Sequence, residues 1–261
     1  MQYWEKLIKE YNIKMPQTNE CNERVWEKTY NVNLDSLKGG KKHLRHSEYT
    51  IYTDGSKKEE GTGGGFVVYH YKKQIHLYSF KMLDHATVFQ AELEAIYQAC
   101  KYMDTEYNNL KPRYVKIFTD SQSVLQALNN IDFKSNIALK TAESMENIAW
   151  QTKKCTIAWV KAHIGTEGNE AADEAARQGA ENNDKTLQVV NTPIPKSQAK
   201  HIIDETIRAE WKKRWNNAPH YKHTKLFYSG PNKNEATKIL NLSRSHLTKL
   251  IAVPVITGFN C

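Results

Sequence analysis

The sequence predicts an α/β fold: a mixed five-stranded sheet, built as a three-strand antiparallel meander plus two parallel strands, flanked by helices and followed by a basic, mainly helical C-terminal extension. Three observations predict it. β-rich segments between residues 48 and 80 are joined by connections short enough only for hairpins. From 88 to 182, segments with the 3.6-residue apolar period alternate with single strands. The net charge of +8 is uneven, because residues 183–261 hold 13 Lys and Arg against 5 Asp and Glu, whereas 1–182 hold 24 of each sign.

Residues 1–47 read as an N-terminal extension, with a short helix over 2–11 and a linker over 31–47 ending in Lys41-Lys42-His43-Leu44-Arg45-His46. Tyr49-Thr50-Ile51-Tyr52-Thr53 is the first strand and stops at the turn signal Asp54-Gly55-Ser56. A glycine-rich second strand spans 63–71, Lys72-Lys73-Gln74 connects, and 75–80 is the third. Phe89, Leu93, Ile96, Tyr97 and Cys100 then fall on one face of a helix from Val88 to about Met103. After Pro112 comes the strand Tyr114–Thr119, and Asp120 or Ser121 caps a helix of about ten residues. A helix over 136–151, a strand over 156–160, the loop through His163-Ile164-Gly165 and a helix from 169 to 182 complete a domain of residues 48–182. Right-handed crossovers place the fourth and fifth strands parallel to the first. Residues 183–261 form the basic extension: a linker, a helix over 197–215 with Trp211 and Trp215, and leucines from 240 to 250 at roughly helical spacing.

Composition narrows the function classes. No apolar run approaches the roughly 20 residues of a membrane span, so no membrane association is expected. Met1–Lys6 contains no apolar core of a secretory signal. The four cysteines are scattered and form no C-x-x-C pair, which points to a reducing intracellular compartment, cytoplasm or nucleus. The basic excess of the extension suits a polyanion such as nucleic acid.

Four carboxylates occupy telling positions. Asp54 ends the first strand and Asp120 ends the fourth, its parallel neighbour, so both emerge at one edge of the sheet. Glu92 lies one turn into the first helix and Asp173 one turn into the last. Gathered carboxylates repel one another, and a hard divalent cation is the natural reason to gather them. Two such ions about 4 Å apart can stabilise both the attacking and the leaving oxygen of phosphodiester hydrolysis.

The motifs Tyr52-Thr53-Asp54-Gly55-Ser56, Phe89-Gln90-Ala91-Glu92-Leu93-Glu94-Ala95, Ile117-Phe118-Thr119-Asp120-Ser121, and Trp159–Gly165 followed by Gly168-Asn169-Glu170-Ala171-Ala172-Asp173 resemble, in order, those of type 1 ribonuclease H. The resemblance covers about 48–182. It implies an RNase H-like sheet and cleavage of the RNA strand of RNA–DNA hybrids with two Mg2+ ions, Mn2+ being a substitute. It implies that Asp54 bridges the ions, Asp173 completes the one that activates water, and Glu92 and Asp120 complete the one at the leaving 3′ oxygen. Glu92 would also bind the RNA 2′-OH, and His163 would assist proton movement or product release. Substrate contacts are implied at Gly55, Ser56, Glu92, Ser121 and Asn169, and products with 5′-phosphate and 3′-OH ends.

Val88 and Phe89 stand where many cellular members carry polar RNA-contacting residues, and the stretch from Asp120 to His163 is too short for the basic handle of bacterial members. Hybrid affinity must then come from elsewhere, and the extension is the candidate. Thr87–Leu93, Asp120–Ser123, the Trp211/Trp215 pair and Ile256–Cys261 are most similar to the RNase H region of non-LTR retrotransposon polyproteins, which suggests a fragment or remnant of such an element. Two other readings compete. One is a catalytically weak or inactive remnant that binds nucleic acid as a module. The other is a different nuclease of the same superfold, an integrase, exonuclease or resolvase, which the His163 loop and the meander order disfavour.

Overall fold

The computed structural model describes residues 20–25, 27–38, 47–162, 165–181, 187–218, 230 and 232–249. The short helix expected over 2–11, the basic stretch 41–46, His163 and the chain from 250 onward lie outside the described residues. The chain divides into one compact unit over residues 16–196 and another that takes the helices from 197 onward.

In chain order the first unit contains β1 (Glu20–Arg24), β2 (Asn31–Asn33), β3 (Tyr49–Lys58), β4 (Gly61–His70), β5 (Lys73–Met82), α1 (Val88–Thr105), β6 (Tyr114–Thr119), α2 (Gln122–Asn129), β7 (Asp132–Ser135), α3 (Asn136–Gln151), β8 (Lys154–Trp159), α4 (Glu167–Glu181) and β9 (Val189–Val190). The expected meander is β3-β4-β5, antiparallel throughout. The hairpin between β4 and β5 turns at Tyr71 and Lys72, both at positive φ (44° and 72°), so β5 starts at Lys73 rather than at Ile75. Positive φ at both central residues gives the backbone twist that matches the flanking strands. The expected parallel strands β6 and β8 extend the sheet from β3.

Side chains alternate along each strand, so the two faces build separate cores. One face packs Ile51, Phe66, Val115, Ile117 and Ile157 against Leu93 and Ile96 of α1, Leu125 of α2 and Met145 of α3. Each such fully buried side chain contributes about 1.5–3 kcal/mol. The other face packs Tyr52, Val67, Phe118 and Ala158 beneath Ala172 of α4. The glycines of β4 let α4 settle directly on the strand, since a Cβ at Gly63 would lie 2.3 Å from the carbonyl carbon of Gly179.

The folded unit reaches beyond residues 48–182, the domain limits read from the sequence. Within the expected N-terminal extension, β1 pairs antiparallel with β7 and β2 pairs parallel with the outer edge of β8. Within the expected linker after 182, β9 pairs parallel with β5. The sheet therefore has seven strands in the order β2-β8-β6-β3-β4-β5-β9. The five expected strands are its centre, and each edge is covered by a short segment from outside the motif region, which blunts exposed edge hydrogen-bonding groups. Beyond it, α5 (Lys196–Asn217) and α6 (Lys233–Leu240) make the extension helical. Among the described residues no helix is long and apolar enough to cross a membrane.

Candidate active site

β3 and β6 run parallel in register from Tyr49 beside Val115 to Thr53 beside Thr119. The next residue of β6, Asp120, follows the strand's end, whereas Asp54 stays in the sheet opposite Gly65: β3 runs on to Lys58 instead of stopping at the expected turn Asp54-Gly55-Ser56, because β4 continues to pair with it. α1 brings Glu92 to them because residue 55 is glycine. A Cβ at Gly55 would sit 2.4 Å from the backbone nitrogen of Glu92 and 2.7 Å from the carbonyl carbon of Ala91, so only a bare backbone admits the helix this close. The Thr87 hydroxyl caps α1, accepting from Gln90 N–H at 3.2 Å, while the Gln90 side chain accepts from Thr87 N–H at 3.1 Å.

Asp54, Glu92 and Asp120 each place a carboxylate oxygen within 4.8 Å of the others. Asp54 is 7% exposed and Glu92 5%. Burial, then the charge of Asp120, then a carboxyl–carboxyl hydrogen bond with Asp173 and its charge raise Asp54 to about 7. Gly55 N–H, donating to Asp54 Oδ1 at 2.8 Å, opposes that rise. Burial followed by the charges of Asp54 and Asp120 pushes Glu92 well above the usual carboxylate range. Asp173, on α4, thus joins the site through Asp54, whose partners include all three other acids.

Neighbouring groups hold these acids in place. Thr119 Oγ1 donates to Glu92 Oε2 at 3.5 Å and accepts from Ser121 N–H at 3.1 Å. The Trp159 indole N–H donates to the backbone carbonyl of Asp120 at 2.8 Å, and Trp159 N–H in turn donates to Ser36 Oγ at 2.8 Å. Thr119, Trp159 and Ser36 were not among the site residues read from the sequence. Thr119 and Trp159 lie on strands that the sequence shows, but nothing local marks their hydrogen bonds to the site, and Ser36 joins only through the long-range pairing of β2. Gly165, at φ 77°, turns the chain toward α4, and Gly168 lies against the Tyr52 ring.

Of the other expected residues, Gly55 and half-buried Ser56 follow Asp54 on β3, and Ser121 caps α2 beside Asp120. Asn169 is 3% exposed, one turn before Asp173, and its Oδ1 has no hydrogen-bond partner among the described residues. His163 lies outside the described residues, so its expected role has no geometry here.

The donor set suits a hard divalent cation. It consists of carboxylate oxygens alone, gathered at a buried place where their mutual repulsion costs stability unless a cation neutralises them. A group such as this, strongly shifted by burial and by like charges, is the pattern of a functional centre rather than of a structural ion pair.

The chain is similar to known proteins over the residues that build this site. The RNase H family profile matches residues 46–181. Ribonuclease H of Rickettsia bellii is 30% identical over 144 residues, covering 51% of this chain and 89% of that relative. Ribonuclease HI of Campylobacter jejuni is 30% identical over 145 residues, covering 52% of this chain and 92% of that relative. Among solved structures, RNase H1 of Halobacterium salinarum is similar at 18% identity and a TM-score of 0.41, covering 51% of this chain and 97% of its own.

Proposed function

The chain belongs to the RNase H family, and from that premise we propose that it hydrolyses the RNA strand of RNA–DNA hybrids endonucleolytically, leaving 5′-phosphate and 3′-OH ends. The single observation that carries the reading is the largely buried, all-carboxylate cluster of Asp54, Glu92 and Asp120 where the parallel pairing of β3 and β6 ends.

Asp54, Glu92, Asp120 and Asp173 would hold the metal, proposed to be two Mg2+ ions with Mn2+ as a substitute. When bound, the ions supply the charge that lets water attack the phosphodiester and the 3′ oxygen depart. Asp54 interacts with both Asp120 and Asp173, which fits it to serve both ion positions. Glu92 is assigned the RNA 2′-OH, the group absent from DNA. Gly55, Ser56, Ser121 and Asn169 are assigned substrate contacts. For Asn169 the support is its buried amide oxygen, without a hydrogen-bond partner among the described residues, one helical turn before Asp173. His163 is assigned proton movement or product release. The basic extension is assigned contacts to the nucleic-acid backbone, and the motif variants Thr87–Leu93 and Asp120–Ser123 support a retroelement origin. A reverse-transcriptase-like reading frame upstream in the genome would support that origin, and its absence would count against it.

The test is incubation of a 5′-labelled RNA–DNA hybrid with the full chain in Mg2+ or EDTA, beside Asp54→Asn. Mg2+-dependent RNA fragments that vanish in the variant are expected. Hybrid bound but never cut would replace this reading with that of a binding module.

A further inference from the structure

The far end of the sheet from the carboxylates carries a second cluster of charge, of opposite sign. β2 lies beside β8 with Asn31 next to Thr156 and Asn33 next to Ala158, and β6 lies on the other side of β8 with Tyr114 next to Lys154 and Lys116 next to Thr156. Alternation puts Asn31, Asn33, Lys116, Lys154 and Thr156 on one face. That is the face carrying Tyr52 and Phe118, but α4 packs against β3, β4 and β5 rather than over this end. A cleft of about 270 Å³ remains there, lined by these five residues together with Ser47, Tyr114 and Val115.

We propose that this cleft is a phosphate-binding site, separate from the carboxylate centre. Its lining combines two ammonium groups with the side-chain amides of Asn31 and Asn33 and the hydroxyls of Ser47 and Thr156, and no carboxylate lines it among the described residues. The acid next along the chain, Glu48, is committed elsewhere: its carboxylate accepts from the N–H groups of Arg113 and Tyr114 at 3.0 and 3.1 Å. Lys116 lies over the Phe118 ring, its Nζ 4.8 Å from the centroid, which holds the ammonium against the floor of the sheet. Burial and the neighbouring charge of Lys154 both lower Lys116, the response expected when like charges are held together. The Ser47 hydroxyl donates to the Tyr114 carbonyl at 3.1 Å, which leaves the amides of Asn31 and Asn33 and the Thr156 hydroxyl as the neutral donors among the lining residues of three strands; a tetrahedral oxyanion has several acceptor oxygens to meet such a set, and lysine serves phosphate as a point charge. Lys116 precedes Asp120 by four residues of extended chain, about 13 Å along the backbone, and none of the four acids of the metal centre is among the lining residues of the cleft. The phosphate has two possible sources, a backbone phosphodiester of nucleic acid and a free phosphate or mononucleotide.

Lysine-acetylation footprinting of the full chain distinguishes them, with the exposed Lys101 as reference. Three additions are compared: sodium phosphate, sodium chloride of matched ionic strength, and an RNA–DNA hybrid in EDTA, where no cleavage occurs. Phosphate at three times its dissociation constant is expected to slow modification of Lys116 and Lys154 about fourfold relative to Lys101. Protection by the hybrid as well identifies backbone phosphate as the ligand, and the salt-dependence slope of hybrid binding then falls by about 0.9, the share of one phosphate, in Lys116→Gln/Lys154→Gln. Protection by phosphate and not by the hybrid assigns the site to free phosphate. No protection by either, or equal protection by chloride, overturns the proposal. The footprint uses the unaltered chain, so it does not depend on whether the double variant folds or on whether the protein cleaves RNA.

Discussion

At the scale of single residues, the carboxylate cluster works against the fold that holds it. Asp54 has an ordinary value of 3.8 and is raised to about 7 in the folded chain. Between those values the native state keeps a proton that the unfolded chain has released. That contribution is therefore fully present below about pH 4 and is lost as pH rises through about 7. In EDTA, thermal melts should show stability falling across this window, by a few kcal/mol at about 1.4 kcal/mol per pKa unit. Saturating Mg2+ should flatten the dependence, because cations favour the ionised cluster. Asp54→Asn should abolish cleavage yet raise the melting temperature in EDTA at pH 7, by about 2–4 °C per kcal/mol relieved. A variant that melts lower than the parent at pH 7 without metal would show that Asp54 is a structural residue rather than a strained ligand. Asp54, Glu92, Asp120 and Asp173 were legible because each lies on or beside a segment with a readable period, although β3 runs on past Asp54 to Lys58. Thr119 and Trp159, which fix Glu92 and Asp120 through hydrogen bonds, carry no periodic signal of their role.

At the scale of elements, the site depends on how closely α1 approaches β3. Gly55→Ala would place a methyl 2.4 Å from Glu92 N, against backbone that cannot rotate away. Overpacking of this kind costs typically 1–3 kcal/mol. The helix should shift outward and carry Glu92 with it. Cleavage should therefore fall at least tenfold with a raised Mg2+ requirement, measured by metal titration of the rate beside a melt. Unchanged metal dependence would mean that the gap between helix and strand does not set Glu92. The elements that build this junction were readable in the sequence: β3, β6 and α1 are long enough to show alternation or a helical period. The elements missed are β1, β2, β7 and β9, which are two to five residues long. Their sequences, such as Asn31-Val32-Asn33 and Val189-Val190, have no pattern of their own. β2 and β9 become strands because a long sheet edge is already there to pair with, and β1 and β7 because the fold brings them beside each other, and no local signal records either.

At the scale of the whole molecule, the question is where the nuclease ends and what the rest contributes. Cutting after residue 182, the limit suggested by sequence, would remove more than the extension. It takes away β9 and the hydrogen bonds that tie this segment to the first unit: Lys81 N–H to Gln188 O at 3.1 Å, Tyr78 OH to Gln188 Oε1 at 2.5 Å, His85 Nε2 with Thr192 O at 2.9 Å, and Gln90 Nε2 to Pro193 O at 2.8 Å. Gln90 is buried and caps α1, so orphaning its amide costs about 1–3 kcal/mol and loosens the helix that carries Glu92. A chain ending at 182 should therefore melt lower and cut more slowly, for reasons unrelated to the tail. A chain ending at 196 keeps every one of those hydrogen bonds while shedding 11 Lys and Arg against 4 Asp and Glu. If the extension grips the nucleic-acid backbone, this shorter chain should melt as the first unit does in the full protein. Its hybrid affinity should fall, with the salt slope flattening by about 0.9 for each phosphate that is no longer neutralised. Filter binding in EDTA across a salt series measures both. Equal slopes for the full chain and the chain ending at 196 would remove the extension from substrate binding and leave hybrid affinity to the first unit, where the lysine cleft beside β2 is one candidate source of positive charge.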